Sequence, residues 1–182
     1  MFTKSICVFC GSRAGDDPAF VADATTLGAG IAARDWRLVY GAGDVGLMGT
    51  VANAAQKAGG DTFGVIPAHL VAWEVGKTDL TRYIVTETMH ERKKVMFMNC
   101  DAVVVLPGGA GSLDELFEVL TWRQLGLHEK PIVVVNTADY WSPLKDLLDN
   151  VTSRGFAEPS LLEFLTWAQD ADGALAALDD TL

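Results

Sequence analysis

The residues best suited to chemistry stand in one short segment, where three glycines precede a hydroxyl and two carboxylates. The segment reads Pro-Gly-Gly-Ala-Gly-Ser-Leu-Asp-Glu over residues 107–115. Glycine lets a ligand come close to the backbone where a Cβ would collide, and the free amides at the start of a helix bind anions, most often phosphate. Glu115 follows in the same segment. A phosphate cradle with an acid beside it predicts an enzyme that acts on a phosphorylated small molecule.

A second predicted helix, near residues 88–99, supplies the cations. On a helical wheel, four of its residues share one face: Met89, Arg92, Lys93 and Met96. A charge between methionines on an inward face needs a partner, which a ligand phosphate or Glu115 could supply. The alternative is that the long side chains only reach back to water.

The capping-box pattern Ser112-x-x-Glu115 offers an alternative to catalysis, because such a pair can satisfy the first amides of a helix. The predicted core face of that helix has four residues: Leu113, Leu116, Phe117 and Leu120. Glu115 is predicted to point the other way, beside Val119 and Trp122. This second apolar stripe predicts a partner subunit that walls in Glu115, although the spacing alone leaves capping and catalysis open.

Two further glycine-containing loops follow predicted strands. In the loop 10–15, Ser12 and Arg13 could contact phosphate or sugar, but a plain turn with a surface arginine accounts for them equally well. The loop 41–46 has the pattern G-x-G-x-x-G of dinucleotide-binding proteins, which also requires an acid about 20 residues on, at the end of the next strand. That acid is missing there. We therefore interpret this loop, including Gly43, as a second set of amides facing the same pocket.

Strands and helices alternate along the chain, which predicts an α/β fold with a parallel sheet covered on both faces. Strands are predicted at 5–10, 36–41, 61–66, 82–86, 101–106, 131–136 and 163–167, and helices at 18–34, 46–59, 88–99, 112–125, 140–154 and 170–180. No linker or repeat interrupts this pattern, so residues 1–182 are predicted to form a single domain. Ligands bind such sheets at the carboxyl ends of the strands, where the loops above lie.

The amino-acid composition limits the classes of binding partner to be expected. The 182 residues carry a net charge of −10, which disfavours nucleic acid and anionic membranes as partners. Without an apolar leader or an 18-residue apolar run, the protein is expected in the cytoplasm.

Cys7 and Cys10 form a C-x-x-C pattern, but in a strand they face opposite sides about 10 Å apart. Cys100 is the one other cysteine, so a four-sulfur zinc site is excluded, and we expect no metal.

These motifs together resemble the Lonely Guy family of cytokinin riboside 5′-monophosphate phosphoribohydrolases, long mislabelled as possible lysine decarboxylases. The segment 107–115 is similar to the family motif P-G-G-x-G-T-x-x-E, with Ser112 in place of threonine. Seven further ordered runs match over nearly the whole chain: residues 10–12, 39–43, 45–49, 64–67, 89–93, 121–122 and 124–126. Ala42 stands where many members have a third glycine, which predicts a narrower pocket at that point.

The resemblance implies a Rossmann-like doubly wound parallel sheet and a homodimer or larger homo-oligomer whose subunits share the active site, with Trp122 and Val119 near the interface. It implies hydrolysis of the N-glycosidic bond of a purine (cytokinin-type or adenine) nucleoside 5′-monophosphate, without a cofactor. Arg92 and Glu115 match the catalytic pair. The substrate-binding residues that it implies are Glu74, Lys93, Gly109, Ala110, Gly111, Ser112, Leu113, Asp114 and Thr121. From their loops, Ser12 and Gly43 are further, lesser candidates for binding the phosphate. The alternative is a non-catalytic carrier of a nucleotide or phospho-cofactor, which needs the glycines but not the Arg–Glu pair.

Overall fold

Seven parallel strands form one sheet in the structure, a computed structural model that describes residues 2–71 and 76–182. The strands are β1 (Ser5–Phe9), β2 (Arg37–Tyr40), β3 (Asp61–Pro67), β4 (Arg82–Thr86), β5 (Ala102–Val105), β6 (Ile132–Val135) and β7 (Leu165–Ala168). The helices are α1 (Pro18–Ala33), α2 (Gly46–Lys57), α3 (Met89–Met98), α4 (Ala110–Gln124), α5 (Ser142–Ser153), α6 (Ser160–Glu163) and α7 (Ala171–Thr181). The predicted α/β class with a parallel, doubly wound sheet is confirmed.

The strand order β4-β3-β2-β1-β5-β6-β7 reverses direction at β1. The chain first builds outwards from β1 to β4, and then returns to the other side of β1 with β5. Neighbouring connections therefore diverge at the carboxyl ends of β1 and β5, where a crevice opens between the loops. Ligands of doubly wound sheets bind at this switch point.

Helices cover both faces because both faces of the strands are apolar, as parallel sheets require. One core layer packs α1, α2 and α7 against the sheet through residues such as Phe20, Leu47 and Leu175. The other packs α3 to α6 through residues such as Met96, Leu116 and Leu144. Cys10 belongs to the first layer and Cys7 to the second, so the prediction that they face opposite sides is confirmed.

The ends of the predicted elements differ from those in the structure by two residues at most. Helix α4, for example, begins at Ala110, two residues before the predicted start, and the short helix α6 was not predicted. A turn of four residues carries too little apolar periodicity to be recognised from sequence. Of the helices in the described residues, none is both long and apolar enough to cross a membrane.

Candidate functional site

A cavity of about 470 Å³ lies at the carboxyl ends of β1 and β5, within the range usual for small-molecule sites. Its wall combines the loop after β1, the start of α4 and the inward face of α3, together with apolar side chains such as Phe20 and Met48. The predicted residues Ser12, Arg92 and Glu115 line it, as do the four residues 109–112. The structure thus places the predicted catalytic pair and the predicted glycine segment in the same cavity.

Backbone hydrogen bonds fasten the loops after β1 and β5 to each other. The Gly11 amide donates to the Pro107 carbonyl at 3.0 Å, and the Leu106 amide donates to the Phe9 carbonyl at 2.9 Å. A Cβ on Gly11 would stand 3.3 Å from the Gly108 Cα, a tight contact. Glycine at position 11 therefore allows the two loops to lie against each other beneath the cavity.

The glycines at the start of α4 serve two different purposes. A Cβ on Gly108 would stand 2.0 Å from the Ser112 Oγ, so glycine there is required by packing within the protein. A Cβ on Gly109 or Gly111 would meet nothing within 4 Å. Both of these residues line the cavity, so their missing side chains leave open space beside the first amides of the helix. That space suits a phosphate group, which needs close approach to those amides.

The capping-box interpretation of Ser112 and Glu115 is wrong. Gly109 is the N-cap of α4, and its first turn makes no side-chain cap. Ser112 is 3% exposed and lies inside the first turn, where its hydroxyl cannot cap the helix. Glu115 therefore does not cap the helix, and it lies half-buried in the cavity wall. The pattern that does form a capping box is Thr88-x-x-Glu91 at the start of α3, which our sequence analysis did not recognise.

Arg92 is held rigidly by the protein, with 4% of its surface exposed. Its Nη2 donates to the Gly41 carbonyl at 2.6 Å and its Nε to the Val65 carbonyl at 3.1 Å. A Cβ on Gly41 would lie 2.0 Å from the same Nη2, so glycine at that position makes room for the guanidinium. The predicted inward direction of Arg92 is confirmed, and the ends of β2 and β3 provide its fixed position.

Arg92 and Glu115 both line the cavity, and both lie close enough to the buried Cys10 thiol to affect its pKa. Burial raises the pKa of the Cys10 thiol, the negative charge of Glu115 raises it further, and the positive charge of Arg92 lowers it. Charges of opposite sign thus act on one buried thiol just past the end of β1. A cation beside a carboxylate keeps the carboxylate ionised, which suits a group that stabilises positive charge on a substrate.

Lys93 points inwards as predicted, but it contacts α4 rather than the cavity. Its Nζ lies 2.9 Å from Asp114 Oδ2 and 3.2 Å from Glu118 Oε1. Burial alone would lower the pKa of Lys93, but the two carboxylates raise it, so the amine stays charged. Lys93, Leu113, Asp114 and Thr121 do not line the cavity, whereas the four residues before Leu113 do. Lys93 therefore joins α3 to α4.

The second glycine loop does not offer its helix to a ligand. The first amides of α2, those of Leu47 and Met48, donate to the Gly11 carbonyl at 3.1 and 3.3 Å. Gly43 pairs with Gly76 in an isolated antiparallel bridge and does not line the cavity. The α2 amides are thus already used by the protein, and contact of Gly43 with a substrate stays a prediction. Ala42 is fully buried away from the cavity, so it does not narrow the pocket.

Tyr140 is a cavity residue that sequence analysis missed. Its hydroxyl donates to the Gly108 carbonyl at 2.5 Å, and its ring meets Phe20 edge-on at 5.5 Å between centroids. The preceding residues, Ala138 and Asp139, have positive φ angles of 50° and 59°. Non-glycine residues adopt that region at a cost, so a strained turn presents Tyr140 to the cradle. A signal was available, because Tyr140 follows β6, the neighbour of β5 in the sheet.

The predicted interface residues differ in their placement. Val119 is 1% exposed and belongs to the core of its own subunit, so it is not part of an exposed apolar stripe, and its place near an interface stays a prediction. The helical wheel predicted that Val119 lies on the same side of α4 as Glu115, but it could not show that other core residues of the same subunit cover that side. Trp122 is half-buried and meets Phe97 edge-on at 4.9 Å.

Glu74 lies outside the described residues. Within the described ranges, no three His, Cys, Asp or Glu side chains form a metal-binding group.

Comparison with known proteins finds close sequence relatives. The sequence profile of a family described as "Possible lysine decarboxylase" matches residues 48–178. A cytokinin riboside 5′-monophosphate phosphoribohydrolase of Rhodococcoides fascians is 43% identical over 96% of this chain and 89% of its own length. One from Arabidopsis thaliana is 38% identical over 97% of this chain and 83% of its own length.

Solved structures share the fold at lower sequence identity. The molybdenum cofactor carrier protein of Chlamydomonas reinhardtii is 24% identical with a TM-score of 0.74, covering 98% of this chain and 97% of its own. The molybdenum cofactor binding protein of Rippkaea orientalis is 22% identical with a TM-score of 0.74, covering 99% of this chain and 98% of its own. At this level of identity the likeness shows the fold alone.

Proposed function

We infer that this chain is a hydrolase, because it belongs to the Lonely Guy family of cytokinin riboside 5′-monophosphate phosphoribohydrolases. Its substrate would be a purine nucleoside 5′-monophosphate, with either adenine or an N6-substituted adenine as the base. Water adds to C1′ of the ribose, and the bond from C1′ to the base nitrogen breaks. The base leaves with the bonding electrons and takes up a proton, so the products are free base and ribose 5-phosphate.

The single observation that carries this proposal is the meeting of the α4 cradle, Arg92 and Glu115 in one cavity. Breaking an N-glycosidic bond develops positive charge on the ribose, as in glycoside hydrolysis generally. Glu115 would stabilise that charge and orient the attacking water. Arg92, fixed by two backbone carbonyls, would keep Glu115 ionised and in position.

The amides of residues 109–112 would bind the 5′-phosphate. They stand at the positive end of the α4 dipole, where the first four amides of a helix have no acceptor along the helix. Phosphate binding at this fixed point would place C1′ at a set distance from Glu115. This arrangement makes the phosphate a positioning handle, which lowers the entropy cost of reaching the transition state.

The first test is product analysis. The protein is incubated with AMP and, separately, with isopentenyladenosine monophosphate, and the mixtures are separated by chromatography. We expect free base and ribose 5-phosphate, and the ratio of the two rates identifies the preferred base. Glu115→Gln should reduce turnover by about 10²- to 10⁴-fold, while Glu129→Gln, which changes an exposed carboxylate, should not. A folded Glu115→Gln variant with most of its activity would refute the catalytic role.

The carrier alternative predicts a different result in the same experiment. Both nucleotides, and other nucleoside monophosphates, would bind and stay intact. The family description names a possible lysine decarboxylase. A decarboxylase that used pyridoxal phosphate would need a lysine in the cavity for its Schiff base. Among the described residues that line the cavity there is no lysine, so we do not adopt that activity.

We also propose that the protein assembles into a homodimer or a larger homo-oligomer, with Trp122 near the interface. Large apolar side chains support this at the ends of α3 and α4, where Met98, Leu125 and Leu127 are each about two-thirds exposed. Such side chains on neighbouring elements favour burial against another surface. Light scattering on the purified protein should give a mass of at least twice 19.5 kDa, and a monomer at micromolar concentration would contradict the proposal.

A further inference from the structure

The side chains that line the cavity carry less positive charge than the 5′-phosphate of the proposed substrate carries negative charge. A phosphate monoester carries nearly two negative charges at neutral pH, and the chain has a net charge of −10. Among the described residues that line the cavity, the cations are Arg13 and Arg92, and Glu115 supplies one negative charge. Helix amides alone would have to hold the phosphate against that background unless one of the arginines takes part.

Arg92 is less suited to this purpose, because the protein fixes its guanidinium. Three of its five N–H groups already donate to the protein: Nε to Val65, Nη2 to Gly41, and Nη1 to the Met89 sulfur at 3.8 Å. Its guanidinium is buried at the ends of β2 and β3, and moving it would leave two carbonyls without their donor. Lys93 is held by two carboxylates of α4 outside the cavity.

Arg13 has the opposite properties. Its side chain is exposed and lines the cavity, and within residues 2–71 and 76–182 it forms no ion pair with a carboxylate. An arginine guanidinium presents paired donors that match two oxygens of a phosphate. It is therefore a cation that could turn towards a ligand without breaking an ion pair with the described part of the protein.

The backbone of Arg13 is nevertheless fixed beside the cradle. A Cβ on Gly46 would stand 2.4 Å from the Arg13 amide nitrogen, so the loop lies directly on the start of α2. A Cβ on Gly11 would stand 3.2 Å from the Arg13 carbonyl and 3.3 Å from the Gly108 Cα. The base of the arginine thus sits within a few ångströms of the segment that leads into α4.

We propose that Arg13 binds the 5′-phosphate of the substrate from the side opposite the α4 amides. The proposal rests on the function inferred above, and it adds a residue that the family resemblance did not include. Arg13 would act as a specificity residue: it distinguishes a nucleoside monophosphate from the nucleoside, and it takes no part in breaking the glycosidic bond. Its side chain supplies the positive charge that the paired Arg92 and Glu115 cannot.

The test compares Arg13→Gln with Arg154→Gln, which removes one positive charge from an exposed residue at the end of α5. Affinity for ribose 5-phosphate and for AMP is measured by calorimetry, and KM and kcat are measured with AMP. We expect Arg13→Gln to weaken both affinities and to raise KM by about 10- to 100-fold, as for loss of a charge-assisted hydrogen bond. The value of kcat, the affinity for adenosine and the thermal midpoint should stay near wild type, and Arg13→Lys should recover part of the loss.

Several results would overturn the proposal. Wild-type affinity for ribose 5-phosphate in Arg13→Gln would show that the α4 amides suffice. An equal loss in Arg154→Gln would show a general charge effect, and an equal loss for adenosine would show a change in cavity shape. If the wild type binds AMP but leaves it intact, the hydrolase proposal fails, and the binding measurements still decide the role of Arg13. A wild type that binds neither AMP nor ribose 5-phosphate overturns both.

Discussion

Replacing Gly111 by alanine should change stability and ligand binding in opposite directions. Gly111 lies in the first turn of α4, with open space where a Cβ would stand. Alanine in a helix is favoured over glycine by about 0.5–1 kcal/mol, because the unfolded chain loses less freedom on folding. For a chain of 182 residues, that gain corresponds to an increase of about 1–4 °C in the thermal midpoint.

The same methyl group should interfere with the ligand. A Cβ in a helix tilts towards the N-terminus, which here is the side of the cavity that Gly111 lines. A phosphate kept away from the amides would lose charge-assisted hydrogen bonds worth about 1.5–3 kcal/mol. We therefore expect affinity for ribose 5-phosphate to fall by about 10- to 100-fold while the protein becomes more stable.

The assay combines thermal unfolding in a phosphate-free buffer with calorimetric titration of ribose 5-phosphate. Gly173→Ala is the matched control, because Gly173 is an exposed residue in the first turn of α7, and a Cβ there would have a nearest contact of 3.3 Å. This variant should keep wild-type affinity, because Gly173 does not line the cavity. Wild-type affinity in Gly111→Ala would refute the reasoning that the open space beside α4 holds the phosphate.

Three other perturbations test the contacts around the cavity. Gly41→Ala forces a methyl group to within 2.0 Å of the Arg92 Nη2, so we expect a loss of about 1–3 kcal/mol of stability and at least a tenfold loss of kcat/KM. Tyr140→Phe removes the donor to the Gly108 carbonyl but keeps the ring, so KM for AMP should rise about fivefold with little change in kcat. Burial lowers the pKa of His128, so its contribution to stability should be complete above about pH 6.5 and should be lost as the pH falls below that value.

The opposite outcomes are equally measurable. A wild-type thermal midpoint in Gly41→Ala would show that the guanidinium can move aside without cost. An unchanged KM in Tyr140→Phe would show that the Gly108 peptide keeps its orientation unaided. For His128, the thermal midpoint is compared between pH 5.5 and 7.5 in wild type and in His128→Gln; equal pH dependence in both proteins would assign the effect to other groups.

The features that the sequence predicts well are those set by local pattern. Apolar strand segments alternating with helical ones predicted every strand of the sheet, and burial on both faces leaves the strongest hydrophobic signal in its central strands. The inward direction of Arg92 also followed from helical periodicity, since cations between two methionines on one face must be buried or bound.

The features that the sequence predicts poorly depend on which helices and strands contact each other in the folded protein. Periodicity showed that Lys93 points inwards, but the carboxylates that bind it lie on α4. It showed the direction of Val119, but not that the subunit's own core covers that side. The glycine pattern at 41–46 suggested a second anion site, and only the three-dimensional structure reveals that the Gly11 carbonyl already accepts the α2 amides.

That last contact bears on how many phosphoryl groups the proposed site could hold. Two glycine-rich helix starts converge on the switch point, but the Gly11 carbonyl already accepts amides of one of them. If the start of α4 binds the 5′-phosphate as proposed, a second phosphoryl group would lack a matching set of helix amides. We therefore expect the protein to prefer a nucleoside monophosphate to a di- or triphosphate without any moving part that closes over the site.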